Sequence, residues 1–172
     1  MPNVNNPHGL RPLMRNLLGG PVEVQEYNKL AGVSTAIFRN DVVSVVTGGN
    51  IQPGRSTAIV GVSLDYGKAS TATTHKVVIA PFSMYEAQDD DAVTGLLAAD
   101  MGKNANVTVA TGGNTSTLIS GHQISKSSVA TTNTLDLQLH RLLQDPSNDF
   151  GPNARVEVSF NTSHFAFGRI GV

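Results

Sequence analysis

Apolar residues in this chain recur in short runs, many of them β-branched and separated by Gly, Asn, Asp and Pro. The cleanest pattern lies at residues 155–160. Val156, Val158 and Phe160 alternate there with Arg155, Glu157 and Ser159. Strict period-two alternation predicts an antiparallel strand with one buried and one solvated face. Residues 42–46 (Val-Val-Ser-Val-Val) run into Gly48-Gly49-Asn50. Residues 59–64 place Val60, Val62 and Leu64 on one face, and residues 75–80 form a run ended by Pro81. Residues 106–109 and 116–119 flank Thr111-Gly112-Gly113-Asn114, which predicts a hairpin whose glycines supply positive φ. Residues 134–143 put Leu135, Leu137, Leu139 and Leu143 on one side. A single segment invites helix: Thr94 as cap, residues 95–101 as about two turns, and Gly102 after the end. Several short strands with turn residues between them predict a mostly β fold, an antiparallel β-barrel or β-sandwich with one short helix.

Residues 1–21 break this pattern. Pro2, Pro7, Pro12 and Pro21 each remove a backbone donor and favour extended chain before them. Val4, Leu10, Leu13, Met14, Leu17 and Leu18 are apolar. The expectation is an extended N-terminal arm, lying on its own surface or a neighbour's, ahead of a single β-rich domain at 22–172. Deleting residues 1–20 is then expected to leave a folded core. A faint internal repeat also stands out. Thr47-Gly48-Gly49-Asn50 returns as Thr111-Gly112-Gly113-Asn114, and the Lys-to-Thr-Thr stretch 68–74 returns at 126–132. Duplication of a β unit would explain both echoes, and so would chance in a chain this rich in Ser, Thr and Gly.

Composition narrows the function. The 172 residues carry 12 Lys+Arg against 13 Asp+Glu, so the formal net charge is -1. That balance argues against a nucleic-acid partner, which usually meets a basic patch. Charged residues are only 15% of the chain, while 14 Ser, 15 Thr and 14 Asn supply neutral polarity. Cysteine is absent, which excludes disulfides, thiolate nucleophiles and Cys-ligated zinc. No stretch approaches the roughly 20 apolar residues of a membrane span. The N-terminus lacks the basic-then-apolar order of a signal peptide, so the expectation is a soluble protein made in the cytoplasm.

Candidate chemistry is sparse. Asp89-Asp90-Asp91 reads as a solvated turn, with a hard-cation or basic-partner site as the alternative. The loop 145–153, Asp-Pro-Ser-Asn-Asp-Phe-Gly-Pro-Asn, reads as an ordered turn or as an interface carrying Phe150. His8, His75, His122, His140 and His164 are scattered, with no pair three or four residues apart. Neither Gly-x-Ser-x-Gly nor a phosphate loop ending in Lys-Ser or Lys-Thr is present. Nothing points to catalysis, a cofactor or a metal.

Several stretches carry a likeness. They are residues 6–12 (Asn-Pro-His-Gly-Leu-Arg-Pro), 64–67 (Leu-Asp-Tyr-Gly) with the Ser-Thr-Ala-Thr-Thr that follows, and 85–88 (Tyr-Glu-Ala-Gln). Others are 98–105 (Ala-Ala-Asp-Met-Gly-Lys-Asn-Ala) and the span from Ala130-Thr131-Thr132 through residues 145–155. In these the chain resembles the capsid cement, or decoration, proteins of tailed bacteriophages. Pro152 departs from the small residue expected there. The resemblance implies a structural virion protein, not an enzyme, on the outer surface of the head, with the major capsid protein as partner and a homotrimer as the favoured oligomer. No membrane contact is implied. It places the capsid interface at Pro7, His8, Gly9, Leu10, Arg11, Pro12, Leu13 and Phe150. The alternatives are a head fibre base or head–tail component, and a carbohydrate-binding β module.

Overall fold

Residues 3–55, 59–109 and 112–165 are described by the computed structural model. Met1, Pro2, Thr111 and the expected end of the domain at 166–172 lie outside the described residues. Among the described residues, eleven strands form two antiparallel sheets that do not close into a barrel, so of the two expected architectures the fold is sandwich-like. The first sheet holds β2 (Val24–Lys29), β3 (Val42–Val46), β4 (Asn50–Pro53), β5 (Ile59–Ser63) and β6 (Thr73–Ile79), in the order β2-β6-β5-β3-β4. The second holds β7 (Ser83–Gln88), β8 (Asn104–Thr108), β9 (Gln123–Ala130), β10 (Leu137–Leu142) and β11 (Arg155–Phe160), with β1 (Arg11–Asn16) added at its edge. Its order is β1-β7-β11-β10-β8-β9.

Setting β1 aside, the two sheets repeat one connectivity. Each of β2 to β6 has its counterpart five strands later, and the spatial order is the same. Of the two sequence echoes, the Thr-Gly-Gly-Asn pair fits this duplication. Residues 47–50 join β3 to β4, and Gly112 to Asn114 lie in the equivalent connection from β8 to β9. The other echo does not fit, because residues 68–74 lead into β6 whereas 126–130 lie inside β9.

The continuous apolar runs and the alternating run have different physical causes. The centre of the first sheet, β5 with the adjoining parts of β3 and β6, is covered on both faces. Val42, Ile59, Val62 and Val78 point into the core between the sheets, while Val43, Val60, Val77 and Ile79 join Ile37 and Ile51 in a second cluster. A strand covered on both faces needs no alternation. The second sheet turns Tyr85, Leu137, Leu139, Val156, Val158 and Phe160 into the inter-sheet core. Tyr85 and Phe160 meet edge-on there, with centroids 5.2 Å apart.

Four expectations need correction. Val60 and Val62 do not share a face: Val62 points into the inter-sheet core and Val60 into the second cluster, where the β3–β5 pairing shifts register. The opposite face of β11 is not solvated: Glu157 and Ser159 are buried. Arg15 and Arg141 lie over Glu157, and His140 hydrogen-bonds Ser159. Residues 116–119 are not a strand paired with 106–109, because β8 pairs with β9. The Asn114 side chain accepts from the amides of Ser116 and Thr117, which winds the chain into a local turn instead. The expected helix is a single 3₁₀ turn at Ala98–Asp100. Gly95 sits at φ +65° and Leu96 bridges to Gly151, so the start of that segment is held extended.

Candidate interaction surface

The N-terminal segment is stitched to its own chain along its length. The Asn3 amide donates to the carbonyls of Asp149 and Pro152, and the Asp149 amide donates back to Asn3. Gln88 receives the Asn6 amide and donates to the Val4 carbonyl. At Gly9 φ is +72°, and a Cβ there would fall 2.4 Å from the Asn40 carbonyl oxygen. Only glycine allows this approach. It lets the Leu10 amide donate to that oxygen at 3.0 Å. Leu10 itself is fully buried in the inter-sheet core. Arg11 and Pro12 then pair with Glu86 and Tyr85 of β7.

The eight residues expected at a capsid interface therefore divide. Gly9 and Leu10 are interior. Pro7, His8, Pro12 and Leu13 are half-buried, and Arg11 has an exposed side chain whose guanidinium is paired with Glu86. Phe150 is 36% exposed at the tip of its loop. That loop is rigidly tied: Asn148 donates to the carbonyls of Leu143 and Arg155 and accepts the Arg155 amide.

Over the outer face of the second sheet lies a layer of ion pairs. Glu86 has no exposed surface and meets Arg11, His8 at 3.2 Å and Arg155 at 3.4 Å. Glu157 meets Arg15 at 2.6 Å and Arg141 at 2.9 Å. Burial pushes both carboxyls up, and the cations around them outweigh it, holding both below the usual range. Four arginines and two glutamates thus gather on one sheet face.

Asp89-Asp90-Asp91 is not a plain solvated turn. Asp89 is buried and accepts amides from Asp91, Leu96 and Ala154, so it ties three segments together. Burial pushes it up to about 6. Asp90 receives the Lys126 amide and the Thr108 hydroxyl, and Asp91 caps the amides of Val93 and Thr94. These carboxylates are committed to backbone donors. Among the described residues, no three His, Asp or Glu side chains are grouped to hold a metal.

Some apolar side chains are also exposed. Leu18 is 87% exposed, Met14 60% and Phe82 49%. The turns bearing Leu18 and Phe82 are joined, since the Leu17 amide donates to the Phe82 carbonyl at 2.7 Å. The Asn16 side chain fixes the first turn by accepting the amides of Leu18 and Gly20. Met14 and Phe82 both sit at positive φ, an unfavourable conformation for these residues. Among the tyrosines, Tyr66 keeps the most exposure, at 37%. Tyr85 is buried, Tyr27 is half-buried, and Tyr66 packs tilted on Phe38 at 5.5 Å. No helix among the described residues is long and apolar enough to cross a membrane. No protein-family model matches the chain, and no curated protein or solved structure is significantly similar to it.

Proposed function

We propose that this chain is a structural virion protein that binds the outer surface of a tailed-phage head and cements neighbouring major capsid subunits. The motifs around Asn6 to Pro12 and Asp145 to Arg155 support the family. The observation that carries the reading is the pair of exposed apolar residues Leu18 and Phe82, on turns joined by a hydrogen bond, with exposed Met14 ahead of them in β1. A rigid, exposed apolar group loses little entropy on docking and gains by leaving water. The contact to the capsid thus lies at residues 14–18 and 82, with Leu13 beside them and Phe150 at a second point. The favoured assembly is a trimer at three-fold positions of the shell, where many weak contacts add through multivalency. Counting copies per virion by mass spectrometry tests this. Hundreds of copies support a shell protein. A dozen or fewer support the second reading, a head fibre base or head–tail component.

A further inference from the structure

The outer face of the second sheet carries a charged row that runs across four neighbouring strands. Arg11 of β1 is the register partner of Glu86 of β7, Glu86 of Glu157 of β11, and Glu157 of Arg141 of β10. Two acidic residues are thus direct neighbours, an arrangement that costs stability unless cations offset it. One arginine on each glutamate would match the charge. Each glutamate has two, Arg11 and Arg155 on Glu86, Arg15 and Arg141 on Glu157.

The layer is polarised. The carboxylates lie beneath, with side-chain exposures of 0% for Glu86 and 6% for Glu157. The guanidiniums lie on top, at 57% for Arg11, 40% for Arg15 and 59% for Arg141. Arg15 and Arg141 converge on the same oxygen, Glu157 Oε2, at 2.6 and 2.9 Å. Two cations drawn to one point repel each other, and an anion placed above them relieves that repulsion. Arg11 and Arg15 each spend a single guanidinium nitrogen on their glutamate, which leaves most of their N–H donors available. Even with Asp145, which meets Arg155 at 2.9 Å, the layer holds four arginines against three carboxylates.

We propose that this face docks an extended acidic segment of a partner protein, with its carboxylates seated on Arg11, Arg15 and Arg141. The guanidinium fork matches a carboxylate in both geometry and charge. Arg11 and Arg141 stand three inter-strand spacings apart, about 14 Å between Cα atoms, and an extended chain places residues i and i+4 at about the same separation. A segment with acidic residues at i, i+2 and i+4 therefore presents three carboxylates on one side along the row. Nucleic acid fits less well. The row bears no aromatic side chain for base stacking, and its excess of cations is small for a long polyanion. This contact is separate from the apolar one at Leu18 and Phe82 and stands or falls without it.

The test is an amide-detected NMR titration of the full chain at pH 7 and low, constant ionic strength. The probes are the peptide acetyl-Glu-Ser-Glu-Ser-Glu-amide, its counterpart with glutamine in place of glutamate, and a single-stranded thymidine pentanucleotide. The expected result is saturable shifts centred on β1, β7, β10 and β11 with the glutamate peptide and none with the glutamine peptide. Arg11→Gln and Arg141→Gln should each weaken the binding about threefold, the size of one exposed ion pair. Each variant leaves its glutamate the second arginine. The comparison of the two peptides on the wild-type chain covers the case in which a variant does not fold. Shifts that do not saturate, that centre on other residues, that the glutamine peptide reproduces, or that keep the same affinity in both variants overturn the proposal. Equal or tighter binding of the pentanucleotide overturns the assignment to a protein segment.

Discussion

Arg11 and Glu86 are register partners across β1 and β7, and the Arg11 guanidinium closes on a carboxylate with no exposed surface. This pair, with His8 and Arg155 on the same carboxylate, fastens the N-terminal segment to the second sheet. Glu86→Gln leaves two arginines and a histidine around a neutral group. Breaking one side of a buried ion pair costs about 3–5 kcal/mol, and the exposure of Arg11 places this case at or below the lower end. Because the folded Glu86 holds its proton less tightly than the unfolded one, its contribution is present at neutral pH and is lost as pH falls through the folded value. Urea unfolding should therefore show a wide gap between wild type and Glu86→Gln at pH 7 that narrows toward pH 3. A gap independent of pH would mean that the charge plays no part.

Leu10 makes the same segment part of the core. Leu10→Ala should lower stability by about 2–5 kcal/mol in a urea titration, the usual cost of truncating a buried leucine. Deleting residues 1–20 removes this side chain together with β1 and strips the cover from Glu86 and Glu157. The truncated chain should lose cooperative unfolding or unfold at much lower denaturant. An unchanged midpoint for the deletion would restore the picture of a dispensable arm.

Asp89 gives an opposite pH signature. Its folded pKa of about 6 lies above the ordinary value, so the fold gains stability as pH falls from 7 through 6. Between pH 7 and pH 5 this amounts to about 1 kcal/mol. Asp89→Asn lacks this gain. It also keeps only one acceptor oxygen, so either the Asp91 amide or the Leu96 and Ala154 amides lose their partner, which costs about 1–3 kcal/mol. Comparing midpoints of wild type and variant at the two pH values isolates the titrating group from His75 and His122, whose lowered values work in the other direction. An equal pH response in both proteins would contradict the assignment.

The β class and the main strands of both sheets were legible in the sequence because their apolar runs are β-branched and bounded by turn residues. Strands such as β7 were not, since Ser-Met-Tyr-Glu-Ala-Gln carries polar residues that are buried by partners far along the chain, Glu86 by Arg11 and Gln88 by Val4 and Asn153. The same long-range pairing hid the role of β1, where Pro12 within the strand and the prolines on either side of it read as an arm. Asp89 looked like part of a charge run because composition cannot reveal three amides converging on one carboxylate. The apolar character of Leu18 was visible, but its full exposure beside Phe82 needed the hydrogen bond between their turns.

If the capsid contact is apolar, charge at its centre should abolish it. Leu18→Asp and Phe82→Asp should leave the unfolding midpoint within about 0.5 kcal/mol of wild type, as surface changes usually do. Both should lose binding to expanded heads in a sedimentation assay. Wild-type binding should survive salt near 1 M, where the screening length falls to about 3 Å. Release of the wild-type protein by salt, with Leu18→Asp still bound, would move the contact to the arginine layer over β1, β7, β10 and β11.

The cement role itself is tested most directly by heating DNA-filled heads with and without the protein and following genome release. Decorated heads should release DNA at a higher temperature than bare heads, and adding back the purified chain should restore the difference, while Leu18→Asp should not. Identical release temperatures for bare and fully decorated heads would contradict the account.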